Sequence, residues 1–474
     1  MGTPPKVYPY IPNSVPRVKA EMLARLGLDD SQTLFDEIPD RLKFQGVMNL
    51  PEPLADEYSL RRHLEGMLQR NGHCGNHLNF LGAGCAQHFV PAVCDEVNGR
   101  GEFLTAYAAE FYADHGKFQA LFEFCSHMAE LLDMDVVSGF LYDGAQAVAT
   151  SLRMATRITG RRRVLVPGTL APQTRMIVDN YMAGVDAAQV EIESVAYDPV
   201  TGLMDMADLE TKLTPRVAAV LVENPSFLGV IETGAAAIGR LVRGCGAEFV
   251  VCADPISLGV LAPPAQYGAT IACGDYHPLG LHMQSGGGQG GFIATHDDMR
   301  YIVEFKDKMY GLAPTVQPGE YGFANILFDR TSFGSREKGK EFTGTSNALW
   351  AITAGVYLAL LGPAGMEEIG QTIMRTAQYA AGRLAGLDGV RIAFDTPFFK
   401  EFVVNFDDTG LSVAHINAAL LEKGIFGGVD LSLDFPELGQ SALYCVTEVI
   451  RKADIDTLTS ALEGVLSGGS ISRR

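Results

Sequence analysis

The sequence predicts an α/β fold with one large, mostly parallel sheet and a smaller α+β domain near the C-terminus. Between residues 163 and 295, short apolar runs are separated by helical or turn segments. Most of these runs are continuous rather than alternating, which is typical of strands buried on both faces of a parallel sheet. We interpret six runs as such strands: RVLVPG, QVEIESVAY, VAAVLVENP, EFVVCADP, TIACGDY and GGFIAT.

The chain is predicted to contain three segments. Residues 1–64 form an arm of short helices, because apolar residues follow NSVP at helical spacing. Residues 65–345 form the large α/β domain, which includes an amphipathic helix from Gly116 to Asp135. Residues 346–474 begin with long helices interrupted by Gly-Pro. They end as a small α+β domain with the order strand, strand, helix, strand: VRIAF, KEFVVNF, VAHINAALLEKGI and SALYCVTEV.

The composition argues against nucleic-acid and membrane partners. The 474 residues carry a formal charge of −19, and an acidic surface repels phosphate backbones and anionic lipids. No apolar run approaches the ~20 residues of a membrane span, and the N-terminus lacks the pattern of a secretory signal. The eight cysteines are scattered, which fits free thiols in a reducing cytoplasm better than a disulfide framework. We therefore expect a cytoplasmic protein.

A series of motifs in a fixed order carries a family resemblance. The motifs are FLGAG (80–84), HFVPAV (88–93), FLTAY (103–107), QALFEF (119–124), YDGAQA (142–147), NPSFLGVIE (224–232), DPISLGVLAPPAQYGA (254–269), PLG (278–280) and LALLGPAG (358–365). These motifs lie between residues 80 and 365, and the resemblance extends over residues ~5 to ~460. In this order they resemble the glycine dehydrogenase (decarboxylating) family of the glycine cleavage system, and specifically subunit 1 of its two-subunit form.

The resemblance implies a fold, a reaction and a set of partners. The fold is that of type I pyridoxal-phosphate-dependent transferases, with a seven-stranded large domain. In the family reaction glycine loses its carboxylate as CO2, and the aminomethyl group passes to the lipoyl arm of a carrier protein. The resemblance also implies an α2β2 assembly in which a subunit 2-type chain carries the reactive lysine and the pyridoxal phosphate.

The chemistry of this cofactor can be compared with individual residues. Such a site needs an acid beside the ring nitrogen, a ligand for the ring oxygen, helix N-terminal amides for the phosphate, and a lysine amine. Asp254 follows EFVVCA at the place expected for the acid, and Asn224 follows VAAVLVE at the place of the ring-oxygen ligand. The phosphate helix is expected after Gly144, but Gln146 replaces the usual Ser or Thr.

The lysine is missing at its usual point. It should lie roughly 20–25 residues after Asp254, in the glycine-rich stretch GDYHPLGLHMQSGGGQGG, yet no lysine occurs between Lys212 and Lys306. His277 is the nearest titratable side chain, and an imidazole cannot form the linkage that a lysine amine makes. No catalytic residue is therefore expected on this chain, and the sequence points to cofactor binding mainly by the partner subunit.

Five further residues are predicted to line the substrate or interface cleft: Tyr107, Tyr142, Asp143, Ser257 and His277. The two tyrosines stand in family motifs, although either could instead be a buried aromatic with a satisfied hydroxyl. His277 precedes a proline, which favours a loop or interface residue over a general base. The glycines 286–288 are expected to form a turn into the strand GGFIAT.

Alternative functions remain open because two segments depart from the family pattern, YAAEFYADHGKF (107–118) and REKGKEFTGTSNALW (336–350). One alternative is a repurposed paralogue that acts with its own partner on another small amino acid or amine. Another is a non-catalytic scaffold subunit. A third is a self-sufficient enzyme with a displaced lysine, for which the candidates are Lys306, Lys308, Lys338 and Lys340.

The segment HCGNH (73–77), with Cys85 and His88 after it, contains side chains that can bind a metal ion. Histidine and cysteine side chains are ligands for zinc, but this spacing matches no standard zinc site. No metal is therefore expected.

Overall fold

The protein is described here by a computed structural model, which covers residues 7–46, 48–104, 116–183, 190–284, 289–342 and 346–469. The chain divides into two compact units, Met1–Asn71 and Gly72–Arg474. The first unit contains helices α1 (Pro16–Leu26) and α2 (Glu57–Leu68). None of its described residues is buried, so this unit has no hydrophobic core of its own.

The second unit contains two large sheets and the helices that cover them. Its strands within the described residues are β1 (Leu78–Asn79), β2 (Val136–Leu141), β3 (Arg163–Pro167), β4 (Glu191–Val195), β5 (Val217–Asn224), β6 (Glu248–Ala253), β7 (Ile271–Asp275), β8 (Gly291–Thr295), β9 (Tyr310–Pro314), β10 (Tyr321–Asn325), β11 (Arg391–Ile392), β12 (Glu401–Asn405), β13 (Ile425–Phe426), β14 (Val429–Asp430) and β15 (Ser441–Cys445). Its helices are α3 (Ala92–Asn98), α4 (Phe118–Leu132), α5 (Gly144–Thr159), α6 (Pro172–Met182), α7 (Met206–Lys212), α8 (Ala235–Gly244), α9 (Met299–Ile302), α10 (Ser332–Ser335), α11 (Ala348–Ala385), α12 (Val413–Leu421) and α13 (Lys452–Gly469).

The larger sheet has seven strands in the order β2-β8-β7-β6-β5-β3-β4. Strands β3 to β7 are mutually parallel, and β8 is antiparallel to both of its neighbours, β2 and β7. The prediction of a mostly parallel seven-stranded sheet is therefore confirmed. All six predicted runs contain a strand, whereas β2 and the β9–β10 hairpin were not predicted.

Burial explains why the strand sequences are continuously apolar. The central strands β5 and β6 are buried along almost their whole length. One hydrophobic cluster lies on the face covered by α4 and α11, and a second lies on the face covered by α5 and α6. Because the side chains on both faces of these strands are buried, both sets must be apolar. The strand sequences therefore lack the alternation of apolar and polar residues that a half-exposed strand shows.

Helix α11 links the core of the large sheet to that of the C-terminal sheet. By length and composition it could cross a membrane, but its two halves contribute buried residues to two different hydrophobic clusters. Gly362 has φ +59° and ψ −174° and is followed by Pro363, so the helix is broken there, as the Gly-Pro pattern predicted. The position of its apolar residues is that of a core helix.

The C-terminal region forms a four-stranded antiparallel sheet in the order β11-β12-β15-β14. Helices α12 and α13 pack on it and share its hydrophobic cluster. Strand β1 pairs in parallel with β13, so residues 78–79 belong structurally with this part of the chain. The boundaries predicted at residues 64 and 345 stay predictions.

Gly229 allows a close backbone approach that supports the start of β12. It has φ +88°, and a Cβ atom there would overlap the carbonyl oxygen of Glu401. Gly229→Ala should lower the free energy of unfolding by more than about 3 kcal/mol, because it adds a backbone clash to left-handed strain. Chemical denaturation measures this loss.

Gly160→Ala is the matched control. Its φ is +66°, but no atom lies within 4 Å of the added Cβ. Only the conformational cost of about 1–2 kcal/mol is then expected. Equal losses in the two variants would show that the contact with Glu401 contributes nothing.

Candidate functional site

A cavity of about 440 Å³ lies at the carboxyl edge of the seven-stranded sheet. Its wall is formed by the FLGAG loop, the start of α5, the ends of β5, β6 and β7, and the start of β12. Parallel strands bring their carboxyl ends to one edge, where α/β proteins bind ligands. Six charged side chains lie on this wall among small and apolar residues: Asp143, Glu223, Asp254, Asp275, Lys400 and Glu401.

Asp254 lies on the cavity wall and forms a buried ion pair. It follows β6, and its Oδ2 atom is 2.6 Å from Nζ of Lys400, with side-chain exposures of 17% and 13%. Its Oδ1 atom accepts the amide hydrogen of Ile256, which fixes the carboxylate at the strand end. The residue expected to hold a ring nitrogen is thus already paired with a cation from the same chain.

Lys400 is held from a second side by an imidazole. His88 Nε2 lies 3.5 Å from Lys400 Nζ, and His88 Nδ1 lies 2.9 Å from the carboxylate of Glu448. Burial alone would lower the pKa of Lys400, but Asp254 and the other nearby acidic groups raise it above its usual range. The amine is therefore protonated, and a protonated amine cannot act as a nucleophile.

The FLGAG motif encloses the neighbouring carboxylate. Glu401 Oε1 accepts a 2.7 Å hydrogen bond from the amide of Ala83. A Cβ atom on Gly82 would overlap this carboxylate, so a glycine is needed there. Burial raises the pKa of Glu401, although Lys400 opposes this effect.

The N-terminus of α5, where a phosphate was expected, already binds carboxylates. The Gly144 amide donates a 2.8 Å hydrogen bond to Asp275 Oδ2. The Gln146 amide donates to Asp143 Oδ1 at 2.7 Å, so Asp143 caps the helix. Helix N-termini stabilise negative charge, and here the chain itself supplies that charge.

Two carboxyls of the cavity are poised to bind protons near neutral pH. Burial raises the pKa of Asp275 to about 7, even though amide hydrogens of His277, Gly144 and Gly290 bind it. Burial likewise raises the pKa of Glu223 to about 8. The cavity therefore becomes more negative as pH rises through this range.

Of the predicted site residues, Asp143, Gly144 and Asp254 lie together on the cavity wall. Asn224 and Ser257 are not among the described residues of that wall. Asn224 Oδ1 accepts the Glu232 amide hydrogen, and the Ser257 hydroxyl donates to the Asp254 carbonyl. Both side chains are thus used in turns beneath the cavity.

His277 is buried in the turn after β7 and is not among the described residues of the cavity wall. Its amide donates to Asp275, and its Nε2 atom lies 3.9 Å from the sulfur of Cys85. Burial lowers the pKa of His277 to about 3, so the ring is neutral. His277 lies in the turn that follows β7, and its assignment to a loop or interface rather than to a general base stays a prediction.

Tyr142 and Gln146 are joined by a hydrogen bond at the turn that leads into α5. The Tyr142 amide donates to Gln146 Oε1, and Gln146 Nε2 donates to the Tyr181 hydroxyl. The Tyr142 side chain is exposed and is not among the described residues of the cavity wall. Tyr107 and the glycines 286–288 lie outside the described residues.

The lysines considered as displaced cofactor anchors do not reach the cavity: Lys306, Lys308, Lys338 and Lys340 are absent from its described wall. Lys306 is buried 3.3 Å from Glu341, and Lys340 is 2.8 Å from Glu304. In the HCGNH segment, His77 stacks on Phe426 at 4.8 Å. Within the described residues, no three His, Cys, Asp or Glu side chains are grouped to hold a metal.

Sequence reasoning missed Lys400, Glu401 and Asp275. KEFVVNF was interpreted only as a strand, and a charged residue at a strand start is usually solvated. Asp275 lies inside the glycine-rich stretch in which the lysine was expected, where attention to a missing lysine hides the carboxylate. Only the pairing of distant segments shows that these side chains meet at one cavity.

These residues do not fit pyridoxal phosphate. The expected acid is neutralised by Lys400, and the expected phosphate helix faces Asp143 and Asp275. No lysine follows β7 at the usual anchoring point. We therefore assign no cofactor chemistry to this cavity.

Solved structures define the class of fold. The chain resembles a crystal structure of glycine decarboxylase (P-protein) of the glycine cleavage system in inhibitor-bound form, with a TM-score of 0.83 and 32% identity over 97% of this chain and 100% of that one. A sphingosine-1-phosphate lyase from Burkholderia pseudomallei gives a TM-score of 0.64 at 16% identity, over 91% and 94% of the chains, which bears on the fold alone. The fold is the α/β type I fold of pyridoxal-phosphate-dependent transferases.

Sequence relatives narrow the class to one family. A probable glycine dehydrogenase (decarboxylating) subunit 1 from Staphylothermus marinus is 37% identical over 97% of this chain and 98% of its own length. A protein with the same name from Carboxydothermus hydrogenoformans is 36% identical over 96% and 99%. The family profile for the glycine cleavage system P-protein matches residues 9–462. The chain belongs to the glycine cleavage system P-protein family.

Asp275→Asn should change the pH dependence of stability. The folded chain holds the Asp275 proton up to about pH 7, whereas an unfolded aspartate loses it near pH 4. The free energy of unfolding therefore falls as pH rises between these values, by at most about 1.4 kcal/mol per pH unit for this proton. The variant should lack this part of the fall.

Urea unfolding at a series of pH values measures the slope. Glu210→Gln, which changes an exposed carboxylate, is the control and should keep the wild-type slope. If Asp275→Asn keeps the wild-type slope, the pKa of Asp275 is not raised in the folded chain.

Proposed function

We propose that this chain is the non-lysine subunit of a heteromeric, pyridoxal-phosphate-dependent glycine decarboxylase of the glycine cleavage system. Full-length similarity to proteins named subunit 1 supports this function. One structural observation carries the division of labour: the acid of the cofactor site, Asp254, is paired with the chain's own Lys400. The partner subunit then supplies both the reactive lysine and the cofactor.

In this assembly glycine is decarboxylated at the partner's cofactor, and the aminomethyl group passes to a lipoyl carrier. The task of this chain is to close the site, to position the lipoyl arm and to exclude water. Its partners are a subunit 2-type chain in an α2β2 complex and the lipoyl carrier protein. The acidic charge fits a cytoplasmic protein without nucleic-acid or membrane partners.

The N-terminal unit supplies a surface for such an assembly. Leu60, Leu64 and Leu68 recur every four residues on α2, so they share one face, and each is more than 40% exposed. Large apolar side chains without a core of their own mark protein–protein contacts. We assign this face to contact with the partner subunit.

Borohydride labelling can show which of the two subunits carries the cofactor. Incubation of the purified chain with pyridoxal phosphate, followed by borohydride and peptide mapping, should label no lysine in the cavity. Mixing with the subunit 2-type chain should place the label on the partner and give release of CO2 from carboxyl-labelled glycine.

Other outcomes separate the alternatives. A label on Lys306, Lys308, Lys338 or Lys340 would make this chain the catalyst. Turnover of another small amino acid or amine, with none of glycine, would identify a repurposed paralogue. Assembly without any turnover would favour a scaffold.

A second prediction concerns the α2 face. Leu64→Ser/Leu68→Ser should weaken binding to the partner at least about tenfold, because truncated apolar anchors cost about 1–2 kcal/mol each in an interface. Calorimetric titration measures the affinity, and thermal unfolding of the isolated variant should be unchanged.

The control is Arg61→Ala on the same helix, whose exposed pair with Glu65 contributes little. Wild-type affinity in the leucine variant would exclude this face from the assembly.

A further inference from the structure

We infer that Lys400 is an internal counter-ion that takes over the partner role of a protonated ring nitrogen beside Asp254. With Lys400 in this position, the charge of Asp254 is balanced without a cofactor. This inference rests on the proposed function in one respect, namely that the cofactor belongs to the partner subunit. The inference goes further by naming Lys400 as the residue that keeps pyridoxal phosphate out of this cavity.

The pairing itself has the chemistry of the interaction that it replaces. In enzymes of this class a carboxylate holds the ring nitrogen in its protonated form, so the site is built for a cation that donates a hydrogen bond. Lys400 Nζ provides such a cation at 2.6 Å from Asp254 Oδ2. Both side chains line the cavity and are mostly buried, so solvent screens their attraction only weakly.

Lys400 is fixed in this position by several contacts. His88 Nε2 faces the amine at 3.5 Å, and Glu448 binds the other imidazole nitrogen. The Lys400 carbonyl accepts a 2.8 Å hydrogen bond from the Val446 amide. A lysine held at its backbone and at its amine is not a loose surface chain that a ligand could push aside.

Displacement by a cofactor would leave charges uncompensated. A ring nitrogen that bound Asp254 would separate Lys400 from its carboxylate and leave a buried, unpaired ammonium group, which is strongly unfavourable. At the other end of the cavity, Asp143 and Asp275 already occupy the amides of α5 and would repel a phosphate. The Asp254 end of the cavity therefore disfavours the protonated ring of pyridoxal phosphate, and the α5 end disfavours its phosphate.

The roles of the two ends can be separated with pyridoxamine, which carries the protonated ring but no phosphate. We expect Lys400→Met to bind pyridoxamine at least tenfold more tightly than the wild-type chain, measured by ligand fluorescence or equilibrium dialysis. Adding Asp254→Asn should abolish this gain. Lys400→Arg, which keeps the charge, should behave as wild type.

Lys306→Met is the matched control, because Lys306 is also buried and paired with a carboxylate but does not line the cavity. It should gain no pyridoxamine binding. If Lys400→Met does not bind pyridoxamine more tightly than this control, the inference is wrong.

Stability provides a second readout if Lys400→Met folds poorly. The thermal midpoint should fall by several degrees in Lys400→Met and recover in Lys400→Met/Asp254→Asn, because the double variant leaves no unpaired charge. Additive losses would contradict the pairing. Both readouts use the isolated chain without glycine, so their failure is distinct from a failure of glycine turnover with the partner. A borohydride-trapped Lys400 would overturn both the inference and the proposed function.

Discussion

The ion pair between Asp254 and Lys400 joins two parts of the chain that are far apart in sequence. Asp254 ends a central strand of the seven-stranded sheet, and Lys400 immediately precedes a strand of the C-terminal sheet. Because both charges are buried, neither can be lost alone without leaving the other unpaired. Next to Lys400, Glu401 begins the same strand and accepts the Ala83 amide hydrogen of the FLGAG loop, so this loop is also attached to the C-terminal sheet.

The pairing of Lys400 with Asp254 leaves the other carboxylates of the cavity without this cation. With Lys400 committed to Asp254, four other carboxylates face the same space, and burial raises the pKa of three of them, Glu223, Asp275 and Glu401. Asp275 is the most informative of them, because it accepts the Gly144 amide hydrogen at the helix N-terminus that a phosphate would otherwise use. A cavity of this charge favours no anion. It explains how a chain can keep the framework of a cofactor enzyme while the cofactor is held elsewhere.

The framework itself has separate physical supports. Helix α11 is buried in two hydrophobic clusters and is broken at Gly362, so it connects the two sheets without being one straight rod. The unit Met1–Asn71 contrasts with this, since no described residue in it is buried. Its apolar helix faces have a physical use only when another surface covers them. The hydrophobic clusters of the fold thus come from the second unit, and the intersubunit contact proposed above comes from the first.

The sequence by itself determined the strand runs, the broken helix, the family and the places of Asp143, Gly144 and Asp254, because these depend on local patterns and on motifs in order. It also determined that no lysine lies between Lys212 and Lys306, which is read directly from the order of the residues. Only the tertiary structure decided that Lys400 pairs with Asp254 and that Asp275 accepts an amide hydrogen of α5, where a phosphate was expected. It also decided that Asn224 and Ser257 bind neighbouring turns and are not among the described residues of the cavity wall. These pairings join segments far apart along the chain, and local patterns contain no information on which distant charges meet in a buried space.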